Sequence, residues 1–211
     1  MAATSQSSWP FSWIRRWHHT FVHERRTRVL AETLAAQIQQ GAAVLDIDCG
    51  DGTIASHIAH LRPDVSVQGV EFQVRAGCKI ACHAFDGSKL PFPDASFDVC
   101  LFVDVLHHLT NPLALLKDAC RVSRNFILLK DHFSENIFDY SILRLVDWVG
   151  NRPHGVPLPY AYRSRSQWQE CYKQAGLIPI SIDCPIPLYP WPFSMVFGRS
   201  LHFISLLKRN F

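Results

Sequence analysis

The chain has 211 residues, of which 48% are hydrophobic and 18% are charged. This composition excludes a disordered or low-complexity protein and is typical of a globular domain. The length predicts one domain with a sizeable core and room for a short appended segment.

The net charge of +3 is unevenly distributed. Residues 1–28 contain five arginines and one glutamate, which leaves a net charge of −1 on the rest of the chain. Because that larger part has no broad basic face, we expect no nucleic acid partner. The odd number of scattered cysteines, seven, favours a reducing, cytoplasmic environment. No apolar run reaches the roughly 18 residues that a membrane span requires.

The first 40 residues form a candidate lid segment, ahead of a main domain over residues 41–211. Four aromatic residues recur at every fourth position and predict one stripe on a helix: Trp9, Trp13, Trp17 and Phe21. Three hypotheses fit this stripe. It packs on the core, it covers a pocket as a lid, or it contacts a membrane surface through residues 9–21. A second helix is predicted over Glu24–Gln40, with Gly41 as its C-cap.

From Gly41 onward, β-rich runs alternate with helical ones, which predicts a parallel sheet with crossover helices. Strands are predicted at Ala43–Asp48, Val65–Glu71, Lys79–Phe85, Phe97–Asp104, Asn125–Lys130, Leu177–Asp183 and Leu201–Leu207. Helices are predicted at Thr53–Leu61, Pro112–Val122, Glu135–Val149 and Ser166–Ala175. The segment between Glu71 and Lys79 is short for a full crossover helix.

The turn after the first predicted strand has the pattern of a ligand-binding loop. Residues 44–53 read VLDIDCGDGT, and the two glycines, Gly50 and Gly52, let a ligand approach the backbone. Glu71 closes the second strand, where a carboxylate can accept hydrogen bonds from both hydroxyls of a ribose. A nucleoside-containing cofactor is therefore expected. The same loop also fits a loose dinucleotide pattern, so NAD remains an alternative at this point.

Two sequence blocks in order separate these cofactors. The block at residues 85–99 reads FDGSKLPFPDASFDV. Together with Asp46 and the glycine loop, it resembles the class I S-adenosylmethionine-dependent methyltransferases of type 11, a group that includes ubiquinone and menaquinone biosynthesis enzymes. The resemblance covers about residues 41–132. It implies a Rossmann-like fold with a seven-stranded, mostly parallel sheet whose last strand is antiparallel. It also implies S-adenosylmethionine as cofactor, with S-adenosylhomocysteine as product.

The resemblance also implies which residues bind the cofactor. These are Asp46, Asp48, Gly50, Gly52, Glu71, Phe72, Asp86, Gly87 and Asp104. Glu71 would hold the ribose, Phe72 would stack on the adenine, and Asp86 would receive the adenine amino group. Asp48 departs from the family pattern, because it replaces the usual first glycine of the loop. This extra carboxylate weakens cofactor binding unless it points away from the cofactor or meets the cofactor's ammonium group.

A phenol or alcohol acceptor requires a base, and a histidine with a pKa near neutrality suits this task. His107 and His132 follow the carboxyl ends of the fourth and fifth predicted strands, so we predict that one of them is the catalytic base. His154 is the reserve candidate. His108 is interpreted instead as an orienting, hydrogen-bonded core residue.

The acceptor pocket is predicted from aromatic residues beyond the cofactor half. The candidate substrate-binding residues are Trp148, His154, Tyr160 and Tyr162. Large apolar walls suit a small aromatic or polyketide-like molecule, methylated on oxygen rather than on carbon. Three arginines are further candidates for binding a carboxylate or phosphate on it: Arg152, Arg163 and Arg165. The alternatives are an NAD-linked oxidoreductase and a catalytically degenerate interaction protein.

No metal site is predicted. Cys78, Cys82 and His83 suggest one, but no second pair of ligands follows at zinc spacing. A magnesium-dependent mechanism through Asp104 and Asp131 lacks a clear third ligand.

Overall fold

The computed structural model describes residues 23–151 and 158–210. The strands are β1 (Ala43–Ile47), β2 (Ser66–Glu71), β3 (Ala81–Ala84), β4 (Phe97–Val103), β5 (Ser123–His132), β6 (Leu177–Asp183) and β7 (His202–Arg209). The helices are α1 (Glu24–Gln37), α2 (Thr53–Leu61), α3 (Leu113–Val122), α4 (Ile137–Asn151), α5 (Arg165–Gln174) and α6 (Ser194–Phe197).

The seven strands form one sheet in the order β3-β2-β1-β4-β5-β7-β6. Strands β1 to β5 are parallel, whereas β7 runs antiparallel to both β5 and β6. The predicted mostly parallel sheet with an antiparallel last strand is therefore confirmed. The chain order reverses between β1 and β4, and open sheets of this kind bind ligands at the carboxyl ends of the strands beside such a reversal.

Helices cover both faces of the sheet. Leu30 and Leu34 of α1 lie one turn apart and pack, with Val44 of β1, in the core of one face. On the other face, Leu45 of β1 packs in a cluster that includes Trp168 of α5. Successive β1 residues thus serve opposite layers, as the pleat of a strand requires.

Most element boundaries lie close to the predicted ones, and the differences have local causes. Helix α1 ends at Gln37, so Gly41 is not its cap. Gly41 instead shapes the turn into β1 at φ +69°, where its N–H donates to Asp64 Oδ2 at 3.0 Å. Strand β5 continues to His132, past the predicted end. Residues 72–80 contain no helix, which agrees with the short crossover expected there.

The aromatic stripe at residues 9–21 lies outside the described residues, so the lid segment stays a prediction. In the part of the chain that the structure describes, no helix is both long and apolar enough to cross a membrane.

Candidate active site

The loop after β1 has the tight shape that its glycines predict. Asp48 adopts φ +61°, and its N–H donates to the Val70 carbonyl at 2.9 Å. Gly52 adopts φ +72°, and a Cβ there would lie 2.9 Å from Ile80 Cγ1. A side chain at residue 52 would therefore add both backbone strain and a steric clash.

Three acidic residues, Asp46, Asp48 and Glu71, surround this loop, and we call them the carboxylate cluster. Glu71 Oε2 accepts a hydrogen bond from the Gly50 N–H at 2.6 Å. Asp46 is 3% exposed, and burial, followed by the charges of Asp48 and Glu71, raises its pKa to about 8. Asp48 reaches solvent, yet partial desolvation and the Glu71 charge raise its pKa to about 7, against the opposing charge of Arg75. A bound cation would relieve this crowding of acids.

The predicted adenine-side residues follow the two neighbouring strands β2 and β3. Phe72 comes directly after β2 and is 72% exposed, so its ring is open to a stacking partner. Asp86 follows β3 and is exposed, and its Oδ1 accepts hydrogen bonds from the backbone and hydroxyl of Ser88 at 2.9 and 2.7 Å. Gly87 adopts φ +84° in the same turn. These roles stay predictions.

A second polar group, the acceptor-side network, lies at the carboxyl ends of β4 and β5. Its members are Arg26, Asp104, His107, Lys130, Asp131, His132 and Asp147. Asp104 follows β4 at φ +60° and forms ion pairs with Arg26 and Lys130. Burial alone would raise the pKa of Asp104, but the charges of Lys130 and Arg26 hold it well below its usual value. The carboxylate predicted to flank the cofactor is thus already paired within the chain.

His107 is held between two carboxylates. It is 1% exposed, and its Nδ1 lies 2.9 Å from Asp131 Oδ1. Its Nε2 lies 3.3 Å from Asp147 Oδ2, an ion-pair distance without the alignment of a hydrogen bond. Burial lowers the pKa of His107, but Asp131 and Asp147 outweigh it and raise the pKa to about 10. His107 is therefore an imidazolium at neutral pH and has no lone pair to accept a proton.

His132 lies beside the same Asp131 but in the opposite protonation state. It is 4% exposed, with Nδ1 3.3 Å from Asp131 Oδ1 and Nε2 3.6 Å from Asp104 Oδ1. Burial and the Lys130 charge lower its pKa, so the ring is neutral at pH 7. The tautomer that donates Nδ1–H to Asp131 leaves a lone pair on Nε2.

The relative exposure of the three histidines is the reverse of the prediction. His107 and His132, expected to be the freer rings, are buried and bracketed by carboxylates. His108, expected to be the hydrogen-bonded core residue, is half-buried, and its Nδ1 has no hydrogen-bond partner among the described residues. The 3₁₀ turn at Leu106–His108 causes this, because it directs His107 inward. Burial and the His107 charge lower the pKa of His108 to about 4.

Asp104, His107 and His132 offer ligand atoms within 4.8 Å of one another, which raises the question of a metal ion. Arg26 and Lys130 already neutralise Asp104, and His107 is protonated on both nitrogens. This electrostatic arrangement disfavours a divalent cation at these atoms.

Two of the predicted acceptor residues line a shallow cavity. The cavity has a volume of about 260 Å³ and is lined by Ser141, Arg144, Leu145, Trp148 and Tyr160. The Arg144 guanidinium lies 5.0 Å from the centre of the Tyr160 ring. Tyr162 instead donates its hydroxyl to Asp147 and stacks on His107. His154 lies outside the described residues.

Arg163 does not serve as the anion-binding residue that the sequence suggested. Its guanidinium donates to the backbone carbonyls of Leu106, Leu109, Thr110 and Ala161. These bonds fix the loop that follows β4. Sequence reasoning missed Lys130, a charge at the end of an apolar strand, and Asp147, whose helix gives no sign of its partner.

The comparisons with known proteins fit this geometry. The methyltransferase domain family of type 11 matches residues 45–125. The chain is 30% identical, over 48% of its length, to the 27-O-demethylrifamycin SV methyltransferase of Amycolatopsis mediterranei (strain S699), and covers 42% of that protein. Residues 45–125 therefore carry a type 11 class I methyltransferase domain. The predicted family is thus confirmed for this region, and S-adenosylmethionine is the cofactor of the family.

Further similarities extend over more of the chain. It is 27% identical to cycloartenol-C-24-methyltransferase 1 of Oryza sativa subsp. japonica. The matched region covers 85% of this chain and 58% of that protein. The chain thus spans about half the length of the two curated relatives. Its fold superposes on an S-adenosylmethionine-dependent methyltransferase of Thermotoga maritima with a TM-score of 0.64 at 16% identity, over 94% of this chain and 95% of that one.

Proposed function

We propose that the protein transfers a methyl group from S-adenosylmethionine to an oxygen of a small aromatic or polyketide-like molecule, with His132 as the base. The observation that carries the proposal is the environment of His132, which is neutral and lies beside Asp131. His132 ends β5 at the same edge of the sheet as the carboxylate cluster. Bound S-adenosylmethionine supplies a methyl group that is already activated for in-line transfer.

The carboxylate cluster fits the amino-acid and ribose ends of this cofactor. Burial and, after it, the charges of neighbouring acids raise the pKa values of Asp46 and Asp48, and the ammonium group of the cofactor is a cation that would favour their ionised forms. Glu71 uses Oε2 for the Gly50 N–H, which orients the carboxylate beside the glycine loop. A ribose diol placed there would bind the remaining acceptor positions of Glu71.

His132 suits proton removal better than His107. The imidazolium of His107 has no free lone pair at neutral pH, whereas Nε2 of His132 retains one. Asp131 orients His132 through Nδ1 and would stabilise the positive charge that appears when Nε2 accepts the acceptor's proton. His107 is in this account a positioning residue, because it holds Asp131 in place.

The cavity lined by Trp148 and Tyr160 supports a small, planar acceptor. Its aromatic rings offer apolar contact area, and Arg144 supplies one cation for an acidic group on the acceptor. Tyr162 lies between the cavity and the base, with its ring centre 6.4 Å from that of Tyr160 and 6.0 Å from that of His132. One curated relative is a 27-O-demethylrifamycin SV methyltransferase and the other a cycloartenol-C-24-methyltransferase, which supports an oxygen or, second, a carbon acceptor.

The proposal is tested in two steps. Calorimetry should give micromolar binding of S-adenosylhomocysteine, about −8 kcal/mol, and much weaker binding of NAD. Incubation with methyl-labelled S-adenosylmethionine and a panel of phenols, hydroxylated polyketides and amines should then label an oxygen acceptor. Binding of NAD in preference to S-adenosylhomocysteine would refute the cofactor, and labelling of amines alone would refute the acceptor class.

A further inference from the structure

Three cysteines, two of them four positions apart and the third 29 positions earlier, meet beside the glycine loop, and we call them the thiol cluster. Cys49 lies in the loop after β1, Cys78 lies in the segment before β3, and Cys82 lies on β3. Their sulfur atoms all lie within 4.8 Å of one another, and the sulfurs of Cys49 and Cys82 are 3.5 Å apart. All three are free thiols of intermediate exposure.

Two glycines provide the space for these thiols. Gly69 of β2 pairs with Cys82 of β3, and a Cβ on Gly69 would lie only 2.5 Å from Cys49 Sγ. A Cβ on Gly52 would lie 3.1 Å from Cys78 Sγ. The thiol cluster therefore depends on the backbone at Gly52 and Gly69, which leaves room for sulfur and for nothing larger.

We propose that the thiol cluster binds one thiolate-preferring metal ion, with Zn²⁺ as the representative ion. Zinc–sulfur bonds of about 2.3 Å place the sulfurs of a tetrahedral site about 3.8 Å apart. The sulfur positions of the thiol cluster fit this spacing with small side-chain rotations. Binding exchanges three S–H bonds for three metal–sulfur bonds and releases three protons, with no change of oxidation state. The fourth position stays open to water or a small solute.

The third ligand differs from the one that the sequence suggested. His83 follows Cys82 in sequence, but the alternation of a strand turns its side chain away. Its Nε2 lies 3.1 Å from Gln68 Oε1, and its ring packs edge-on against Phe92. Cys49, which precedes Cys78 by 29 positions in the chain, takes its place.

A metal ion here would fasten the cofactor loop to the edge of the sheet. Cys49 is the residue directly before Gly50, whose N–H binds Glu71. The segment that carries Cys78 already contacts the loop, because the Lys79 N–H donates to the Asp51 carbonyl at 3.0 Å. Metal binding would therefore hold the loop in the conformation that presents Gly50 to Glu71.

The test uses the full chain, reduced and freed of metal by a chelator. Titration with Co²⁺ should produce thiolate-to-metal charge-transfer absorption that saturates at one ion per chain, and Zn²⁺ should displace the Co²⁺. Cys78→Ser and Cys82→Ser should each weaken Zn²⁺ binding at least tenfold. Cys171→Ser on α5 is the matched control, a free thiol of similar exposure outside the thiol cluster, and it should bind like the unaltered chain.

A thermal measurement guards against misfolded variants. Excess Zn²⁺ should raise the Tm of the unaltered chain and of Cys171→Ser, because an ion that binds the folded state stabilises it. The Tm of Cys82→Ser should not respond. Absence of charge-transfer absorption, or binding that Cys78→Ser and Cys82→Ser leave unchanged, would overturn the proposal. These readouts need neither cofactor nor acceptor, so their outcome is independent of the proposed methyl transfer.

Discussion

The carboxylate cluster and the acceptor-side network shift the pKa values of similarly buried carboxylates in opposite directions. Asp46 in the carboxylate cluster is 3% exposed, and Asp131 in the acceptor-side network is 0% exposed. Burial favours the neutral acid in both, yet the pKa of Asp46 is raised to about 8, whereas that of Asp131 lies far below its usual value. Burial alone therefore does not decide the charge of these groups.

The groups beside each carboxylate cause the difference in charge between Asp131 and Asp46. Asp131 accepts hydrogen bonds from His107, from the ring and backbone of His132, and from the Leu106 N–H. Asp46 faces two further acids, Asp48 and Glu71.

In the whole acceptor-side network, three positive groups balance three negative ones. The positive groups are Arg26, Lys130 and the His107 imidazolium, and the negative ones are Asp104, Asp131 and Asp147. The acceptor-side network is thus electrostatically complete within the chain, whereas the proposed function has a bound cation complete the carboxylate cluster. The predictions below test this difference.

The largest effect is expected from replacing His132, the neutral histidine of the acceptor-side network. His132→Gln should lower kcat by about 10²–10⁴-fold, the usual contribution of a positioned base. His57→Gln, on the exposed side of α2, is the matched control and should retain activity.

The pH profile checks the same assignment without mutation. The lowered pKa of His132 predicts that kcat stays high below pH 6.5 and falls only in more acidic solution. Full activity in His132→Gln, or a kcat that rises only near pH 10, where His107 loses its proton, would contradict the assignment.

Breaking the charge balance should cost the most stability. Asp131→Asn leaves the buried His107 cation short of a partner, so we expect a loss of about 3–5 kcal/mol in the free energy of unfolding. Urea denaturation monitored by tryptophan fluorescence measures it. Asp64→Asn removes an acid paired with Arg62 at the surface and should change stability little. Equal losses in the two variants would argue against the special weight of the acceptor-side network.

Removing one charge from the cofactor half should reduce affinity. Glu71→Gln should raise the Kd for S-adenosylhomocysteine tenfold or more, because hydrogen bonds to a charged group contribute about 1.5–3 kcal/mol. Glu170→Gln, exposed on α5, controls for the general loss of an acid. Calorimetry that gives the same Kd for both variants would place the ribose elsewhere.

A further effect concerns stability against pH. Asp46 has a folded pKa of about 8, above its unfolded value near 4, so the folded state holds the extra proton between these values. This contribution to stability is present in acid and is lost as the pH rises through 8. Asp46→Asn removes it, so the Tm of the variant relative to the unaltered chain should rise from pH 5 to pH 8 by about 2–4 °C per kcal/mol.

Asp51→Asn provides a comparison for that measurement, because its relative Tm should change with pH in the opposite direction. Burial raises the pKa of Asp51, but hydrogen bonds from Thr53 and the charge of Lys79 outweigh it and lower the pKa. The stabilising contribution of Asp51 is present above its unfolded pKa and is lost in acid. The relative Tm of Asp51→Asn should therefore fall, not rise, between acidic and neutral pH. Parallel trends in the two variants would contradict the assignment of the raised pKa to Asp46.

The sequence predicted the sheet and the glycine loop because their signals are local. The chain contains a buried strand, a turn with Gly50 and Gly52, and a helix in direct succession. Each of these sequence signals supports the prediction of its neighbour. The chain order of these elements and the position of Glu71 at the end of β2 were predicted from the same pattern. The family resemblance rested on this stretch and is confirmed by the comparisons.

The histidine environments and the thiol cluster could not be read in the same way. Whether His107 points inward depends on a 3₁₀ turn of three residues, and its second carboxylate comes from Asp147, 40 positions later. Cys49 meets Cys82 through the pairing of β2 with β3, and no spacing rule in the sequence predicts that register. Contacts that depend on strand register and on short turns can be identified only from a three-dimensional structure.

Proton release on cofactor binding tests the central claim most directly. S-adenosylhomocysteine is titrated at pH 7 in two buffers of different ionisation enthalpy, and the difference in observed heat gives the number of protons exchanged. The account predicts release of about one proton or slightly more, because the ammonium group of the ligand ionises Asp46 and Asp48, whose pKa values are about 8 and about 7 in the free protein. Asp46→Asn should lower that release to roughly half a proton or less, which Asp48 supplies. Binding with no proton exchange, or with proton uptake, would contradict the claim that the cofactor half is completed by a bound cation.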